Sequence, residues 1–311
     1  MFPLKPNPVP VLQPAPWPSL NQYGVQLAVL RLDQVDPLLS GNKWYKLQPF
    51  LQAVQQGRAL GLISLGGAHS NHLHALAAAG KRYHFPTVGL LRGHAQYTPT
   101  VHDLRSCGMS LHWLGYAGYR ERHLQAFWQP WQAQYPGFLA LPEGGASLDA
   151  AKACASIVQR LPSQLPLNWS DYDQLWIAAG TGTTLAGFIL GEAGRHPVVG
   201  ALAVPPNHGT LETVQQLLAE AGCVSAAWHC VDASLGAFAR IDVELARCMR
   251  DFEQSTRIPL EPLYTGKLVL ALLHAAQRGE LSVGSRIIMV HSGGLQGRRA
   301  LESRLQQLRT A

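Results

Sequence analysis

Charge is scarce in this chain. Asp, Glu, Lys and Arg make up only 14% of it, against 47% hydrophobic residues, so a large core can be buried and a disordered chain is excluded. A basic block with interleaved aromatics is also missing. The formal charge of +6 comes from scattered Lys and Arg, which argues against a nucleic-acid partner and fits an anionic small molecule. Cys-x-x-Cys pairs are absent. Cys107, Cys154, Cys223, Cys230 and Cys248 stand alone, and their odd number suits buried thiols in a reducing compartment rather than disulfides or zinc. No apolar run approaches the roughly 20 residues that span a bilayer. Proline-rich Met1 to Leu20 lacks the continuous apolar core of a signal peptide. The expectation is a soluble cytoplasmic protein without membrane contact.

Several catalytic and nucleotide signatures are absent as well. The stretch Gly180-Thr181-Gly182-Thr183-Thr184 runs into Leu185, where a dinucleotide fingerprint would need glycine, and no Gly-Lys-Ser/Thr follows as in a Walker A loop. Gly145-Ala146-Ser147 lacks the elbow glycine of a serine hydrolase. His69, His72 and His74 make a poor zinc set, because His72 and His74 face different sides of a helix and no acidic or Cys ligand is near in sequence.

What is present is an alternation of strands and helices over 311 residues, long enough for two domains or one large α/β unit. Residues 1–24 hold many prolines and read as an extended arm on the surface of a domain. Strands are expected at about 25–33, 59–65, 87–91, 110–114, 138–143, 174–179, 198–204, 228–232 and 286–291. Helices are expected between them, including a Trp-rich piece over 120–134. Such alternation means parallel sheets covered on both faces, with ligands outside the strands' carboxyl ends. Two glycine-rich strand-to-helix turns far apart in sequence point to two such sheets.

The stretch Ser40-Gly41-Asn42-Lys43-Trp44-Tyr45-Lys46-Leu47 is the first chemical signal. Two lysines three apart share one face of a starting helix. One could hold an aldehyde as an imine while the other neutralises a phosphate, which is what pyridoxal phosphate (PLP) needs. The same pair is also what a solvated first helical turn looks like. The loop Gly180 to Thr184 is the best phosphate candidate, since glycines let backbone N–H groups approach an anion at a helix start, and it is equally an ordinary turn with N-capping threonines. Gly66-Gly67-Ala68-His69-Ser70-Asn71 is a second anion cradle, able to take a substrate carboxylate through Ser70, or a plain capped helix. Tyr264-Thr265-Gly266-Lys267 offers a phenol that can carry a proton and a neutral hydroxyl, and it also reads as a helix start.

In this order, and together with Pro142-Glu143-Gly144-Gly145 and His291-Ser292-Gly293-Gly294, these motifs resemble the PLP-dependent family that contains D-cysteine desulfhydrase and aminocyclopropane-carboxylate deaminase. The resemblance spans residues 25–298. It implies two doubly wound α/β domains of the tryptophan synthase β-like kind (PLP fold type II), with a large domain from 1–45 and 149–311 and a small one, 46–148, inserted. It implies PLP as cofactor, a small amino acid as substrate and a homodimer. Lys43 would be the Schiff-base lysine. Lys46 with Gly180, Thr181, Gly182, Thr183 and Thr184 would hold the phosphate, and Asn71 the phenolic oxygen. Ser70 would touch the substrate carboxylate, Tyr264 would lie by the ring, and Thr265 would meet the pyridine nitrogen.

Within that resemblance Thr265 separates two activities. The deaminases carry glutamate there, which keeps the pyridinium protonated for opening an unactivated ring. A threonine suits elimination of a good β leaving group such as thiolate, so a D-cysteine desulfhydrase-like lyase is expected, with ring opening of aminocyclopropane carboxylate or non-catalytic ligand binding as the alternatives. The chain departs from the family at His72, where glutamine stands in the deaminases, and at Phe238, where a tyrosine is expected.

Overall fold

Gln174–Ala179, Val198–Leu202 and Arg286–His291 are apolar runs without alternation, buried along nearly their whole length. Only strands covered on both faces can bury such runs. The computed structural model, which describes residues 3–4, 8–223 and 227–310, builds two sheets from runs of this kind.

The larger sheet has six strands: β1 (Val11–Pro14), β2 (Gln26–Arg31), β7 (Gln174–Ala179), β8 (Val198–Leu202), β9 (Trp228–Asp232) and β10 (Arg286–His291). Their order is β1-β2-β10-β7-β8-β9, parallel except for β1 on β2. β10 therefore lies between β2 and β7, pairing Ile287 with Leu27 on one side and with Gln174 on the other. The smaller sheet is wholly parallel. It holds β3 (Gly61–Gly66), β4 (Thr87–Leu91), β5 (Ser110–Trp113) and β6 (Phe138–Leu141) in the order β5-β4-β3-β6. The doubly wound α/β class expected from the alternation is the one observed.

Each sheet has a switch point, where strand order reverses and a crevice opens at the carboxyl ends. In the larger sheet it is framed by β2, β10 and β7, in the smaller by β3 and β6. The two crevices face each other. A Cβ placed on Gly144, after β6, would come within 2.9 Å of Thr181, after β7. The helix Asn42–Gln55 passes between the two sheets. Trp44, Tyr45, Leu47 and Leu51 sit in one core cluster with Leu62 and Leu76 of the smaller sheet's layers and Ile177 and Val290 of the larger. The boundary drawn at 45/46 falls inside this helix, and that at 148/149 falls at the start of the helix Leu148–Val158.

The N-terminal segment differs from the arm expected on the surface. Val11–Pro14 pairs with β2 as an edge strand, and Ala15, Trp17 and Leu20 are fully buried. Proline is tolerated there because an edge strand has one unpaired side. The Trp-rich stretch 120–134 is not one helix either. It breaks into short turns, Glu121–His123 and Gln125–Trp128, before a six-residue helix, Gln129–Gln134, with Pro130 at its start. Proline lacks the N–H and clashes with the preceding turn, so a helix restarts at it rather than running through. Two C-terminal helices, Leu295–Arg298 and Glu302–Thr310, follow β10 and had no counterpart in the sequence pattern.

Candidate active site

The site begins where three strands of the larger sheet end. β10 runs into Ser292-Gly293-Gly294, and Gly41 packs against that turn backbone to backbone. Asn42 N–H donates to Ser292 O at 3.1 Å, and a Cβ on Gly293 would reach Gly41 Cα at 2.7 Å. Gly41 also has φ +69°, so any side chain there would be strained as well as blocked. This contact fixes the start of the Asn42–Gln55 helix, and with it the lysine pair.

Lys43 is half-buried and Lys46 is buried, at 2% exposure. Lys43 Nζ donates to Asn42 Oδ1 at 2.8 Å. Burial pulls the Lys43 ammonium down to about 8. Burial, helped by the charge of Lys43, brings Lys46 to about 7. Two ammonium groups withdrawn from water side by side favour an anionic guest. The solvated first turn is thereby excluded for both.

Asn42 carries the connection further. Its Nδ2 donates to Thr184 Oγ1 at 2.7 Å, so Lys43 and the Gly180–Thr184 loop share one amide. That loop ends β7 and opens the helix Thr183–Glu192. Gly182, at φ +82°, occupies the N-cap position without a capping side chain. The first N–H groups of a helix have no partner inside it. Thr183 Oγ1 is buried and has no hydrogen-bond partner among the described residues. An uncapped buried helix start, an orphan hydroxyl and the desolvated ammonium of Lys46 are a donor set suited to a phosphate monoester dianion, and the residues present fit the phosphate of PLP. Gly180 lies against Tyr264, whose ring carbon would sit 3.0 Å from a Cβ at that position.

The smaller sheet supplies the opposite wall. Ser70 caps the helix Asn71–Tyr83 by accepting from Leu73 N–H at 3.1 Å. Asn71 Oδ1 accepts from Gln296 at 2.9 Å, which leaves its Nδ2 as the free donor beside Gly294. His72 is buried. Its Nε2 meets Ser64 Oγ at 2.9 Å, and Ser64 donates its proton to Leu141 O at 3.0 Å. Ser64 thus accepts from His72, and Nδ1 is the bare nitrogen. Nδ1 has no partner among the described residues. Burial, with Lys46 and Lys43, holds His72 well below its usual value, so it is neutral. His74 turns instead to Asp103, at 3.3 Å, so the two histidines serve different faces.

Tyr264 precedes the helix Thr265–Gln277. Burial, with Glu261 and Glu143, raises its phenol, which stays protonated. The Phe238 ring packs on it edge-on at 5.5 Å, so this departure from the family pattern lies at the rim of the site. Thr265 is fully buried. Its hydroxyl accepts from Glu261 N–H at 2.8 Å and donates to Glu261 O at 3.1 Å. One lone pair remains for a further partner.

Of the residues singled out from sequence, Lys43 and Thr184 are joined through Asn42, Tyr264 lies against Gly180, and Asn71 lies against Gly294, while His74 turns away to Asp103. Three participants were missed. Asn42 reads as a turn residue until its contact with Thr184 is seen. Cys154, a buried thiol raised to about 11, hydrogen-bonds Thr184 and lies within electrostatic reach of both lysines. Glu261 is buried, raised to about 7 by desolvation, and caps Leu263 and Tyr264 N–H at 2.9 Å each. Its place three residues before Tyr264 was the available signal.

The profile of a family described as pyridoxal-phosphate dependent enzyme matches residues 7–293. A Pyrococcus horikoshii protein provisionally named 1-aminocyclopropane-1-carboxylate deaminase is 26% identical, over 93% of this chain and 93% of its own. The mitochondrial bifunctional D-cysteine desulfhydrase/1-aminocyclopropane-1-carboxylate deaminase of Arabidopsis thaliana is 26% identical, over 88% of this chain and 73% of its own. The crystal structure of an ACC deaminase homologue superposes with a TM-score of 0.84 at 25% identity, covering 98% of this chain and 95% of that one.

Proposed function

The chain belongs to the pyridoxal-phosphate dependent enzymes, and from that premise we propose that it is a lyase that removes the α-proton of a small amino acid and expels its β substituent, with D-cysteine as the preferred substrate. When bound, PLP supplies an aldehyde for amino groups and a ring that draws electrons from the Cα–H bond. The chain's own residues do the rest. Lys46, Thr183 and the N–H groups of Gly182 to Thr184 hold the phosphate. Asn71 Nδ2 donates to the phenolic oxygen. Ser70 and the backbone of Gly66 to Ala68 receive the substrate carboxylate.

Lys43 is the base at Cα. Its proximity to Asn42 Oδ1 orients Nζ, and its lowered basicity gives a useful neutral fraction near pH 8. Tyr264 stays a neutral phenol, able to donate a hydrogen bond to the departing group, while the proton that Lys43 takes from Cα is the one available to it. Water then completes the reaction: D-cysteine and one water give pyruvate, ammonia and hydrogen sulfide.

The observation that carries the lyase reading is the Lys43–Asn42–Thr184 link, which ties the base to the phosphate loop. The observation that favours thiolate elimination is Thr265. Its neutral hydroxyl, engaged by the Glu261 backbone, cannot hold a pyridinium proton as a carboxylate would. The names of the relatives favour a second reading, ring opening of 1-aminocyclopropane-1-carboxylate. A panel of D- and L-amino acids with that compound decides between them. Sulfide and pyruvate from D-cysteine support the first, and 2-oxobutanoate from the cyclopropane replaces it with the second. Failure of the purified protein to develop a visible absorbance band with PLP would overturn both.

A further inference from the structure

Lys267 is a buried cation that the reaction does not use. It is 1% exposed and sits one turn into the helix that follows Tyr264. Its Nζ lies within hydrogen-bonding distance of four backbone carbonyl oxygens, one more than its three protons can serve singly: Ala203 O at 3.2 Å, Ser234 O at 2.8 Å, Ala237 O at 3.0 Å and Phe238 O at 2.7 Å. All four are carbonyl oxygens; among the described residues no carboxylate hydrogen-bonds the ammonium, while Glu261, Asp232 and Asp242 act on it electrostatically. An ammonium has three protons and no acceptor, so a neutral amine would turn a lone pair onto this oxygen shell. Converging carbonyls are how proteins replace the hydration shell of a potassium ion, which is close in size to ammonium.

We infer that Lys267 is a tethered monovalent cation: its ammonium fills a carbonyl cage that takes a potassium or ammonium ion when the side chain is removed. The cage joins the ends of two strands. Ala203 follows β8, and Ser234 to Phe238 follow β9. Three carbonyls of the second segment point one way because its backbone turns through Leu235 at φ +58° and Gly236 at φ +83°. Leucine rarely adopts that conformation, and it persists where surrounding contacts over-determine it. Ser234 Oγ, accepting from Gly236 N–H at 3.1 Å, and the ammonium are those contacts. The loop so held carries Phe238 onto Tyr264, and Tyr264 onto Gly180. Lys267 is therefore a positioning residue, and the assignment is independent of which amino acid the enzyme consumes.

The test uses the full PLP-loaded chain and its Lys267→Gly and Lys267→Met variants. Melting temperature and turnover are read in potassium, ammonium, rubidium and lithium chlorides at one ionic strength. Wild type is indifferent to the cation. Lys267→Gly gains stability and several-fold turnover, saturably, in potassium or ammonium over lithium. Lys267→Met, whose apolar chain occupies the cage, gains nothing. A Lys267→Gly protein with no cation preference overturns the inference. Should that variant be insoluble in every salt, the wild-type protein decides. In protein labelled with nitrogen-15 lysine, Nζ of Lys267, assigned by proton contacts to Phe238, gives a protected ammonium signal at neutral pH. An amine signal, or rapid exchange with water, overturns the inference.

Discussion

Asn42 donates through Nδ2 to Thr184 Oγ1 at 2.7 Å, across 142 residues of sequence. Its other end accepts from Lys43 Nζ. One amide therefore sets the distance between Lys43, the proposed base, and the 180–184 loop, the proposed phosphate site. Asn42→Ala removes a buried hydrogen bond from each side, and such losses cost about 1–3 kcal/mol. PLP affinity should fall about tenfold or more by titration, with turnover falling further because Lys43 loses its orienting partner. Asn42→Asp places a carboxylate against Lys43 and raises its basicity. The acidic limb of its pH–rate profile should then shift to higher pH, which a merely structural loss would not do.

Lys43 and Lys46 stand three residues apart, and the proposed function gives them different duties. Lys43→Ala should abolish the visible band that PLP gives with the protein and lower turnover by about 10²–10⁴, the range for a lost general base. Phosphate contacts remain, so calorimetry should still record PLP binding. Loss of all binding in Lys43→Ala would mean that the lysine, not the 180–184 loop, anchors the cofactor.

Much of this site was legible because glycine-rich turns mark strand ends. Gly66-Gly67, Gly180 to Gly182 and Ser292 to Gly294 all lie at carboxyl ends of strands, where such turns were expected to place a ligand. Contacts that close over long sequence distances were not legible. Nothing local says that Asn42 reaches Thr184, or that Asn71 meets Gln296. The edge strand Val11–Pro14 was hidden by its prolines, which forbid a central strand but not an edge one. Trp128 and Trp131 suggested a continuous helix, while Pro130 between them restarts it.

His72 gives a pH-dependent prediction. It is neutral in the fold because burial, Lys46 and Lys43 disfavour its charge. A base whose folded pKa lies below its unfolded value binds fewer protons folded than unfolded, so stability rises with pH through that window and falls on acidification below about 6.5. His72→Gln keeps an N–H for Ser64 and cannot be protonated. At pH 7.5 the two proteins should differ by less than ~1 kcal/mol in denaturant unfolding. Between pH 6 and 5 the variant should become the more stable, with a divergence of at most ~1.4 kcal/mol per pH unit. Parallel curves across this range would show His72 charged in the folded protein.

Lys46 opposes stability to function. Its side chain is buried at 2% exposure, and the charge of Lys43, of like sign, acts on it. Its folded pKa of about 7 lies below the usual lysine value of 10.5. Below pH 7 both folded and unfolded chains carry the proton, and the folded one bears the full cost of the buried charge. Between pH 7 and 10.5 the unfolded chain binds more protons, so this cost shrinks as pH rises and vanishes above 10.5. Lys46→Met removes the charge and keeps the stem volume. In phosphate-free buffer the variant should exceed wild type by a few kcal/mol at pH 6.5, the advantage closing steadily toward pH 10. Binding runs the other way, because a charge-assisted hydrogen bond to phosphate contributes about 1.5–3 kcal/mol, or about 10- to 150-fold in PLP affinity. Saturating PLP should therefore erase the variant's advantage in melting temperature at pH 7, since wild type gains more from the ligand. A Lys46→Met protein that is less stable than wild type without PLP, at every pH, would mean that Lys46 has a structural counter-charge and is not held ready for an anion.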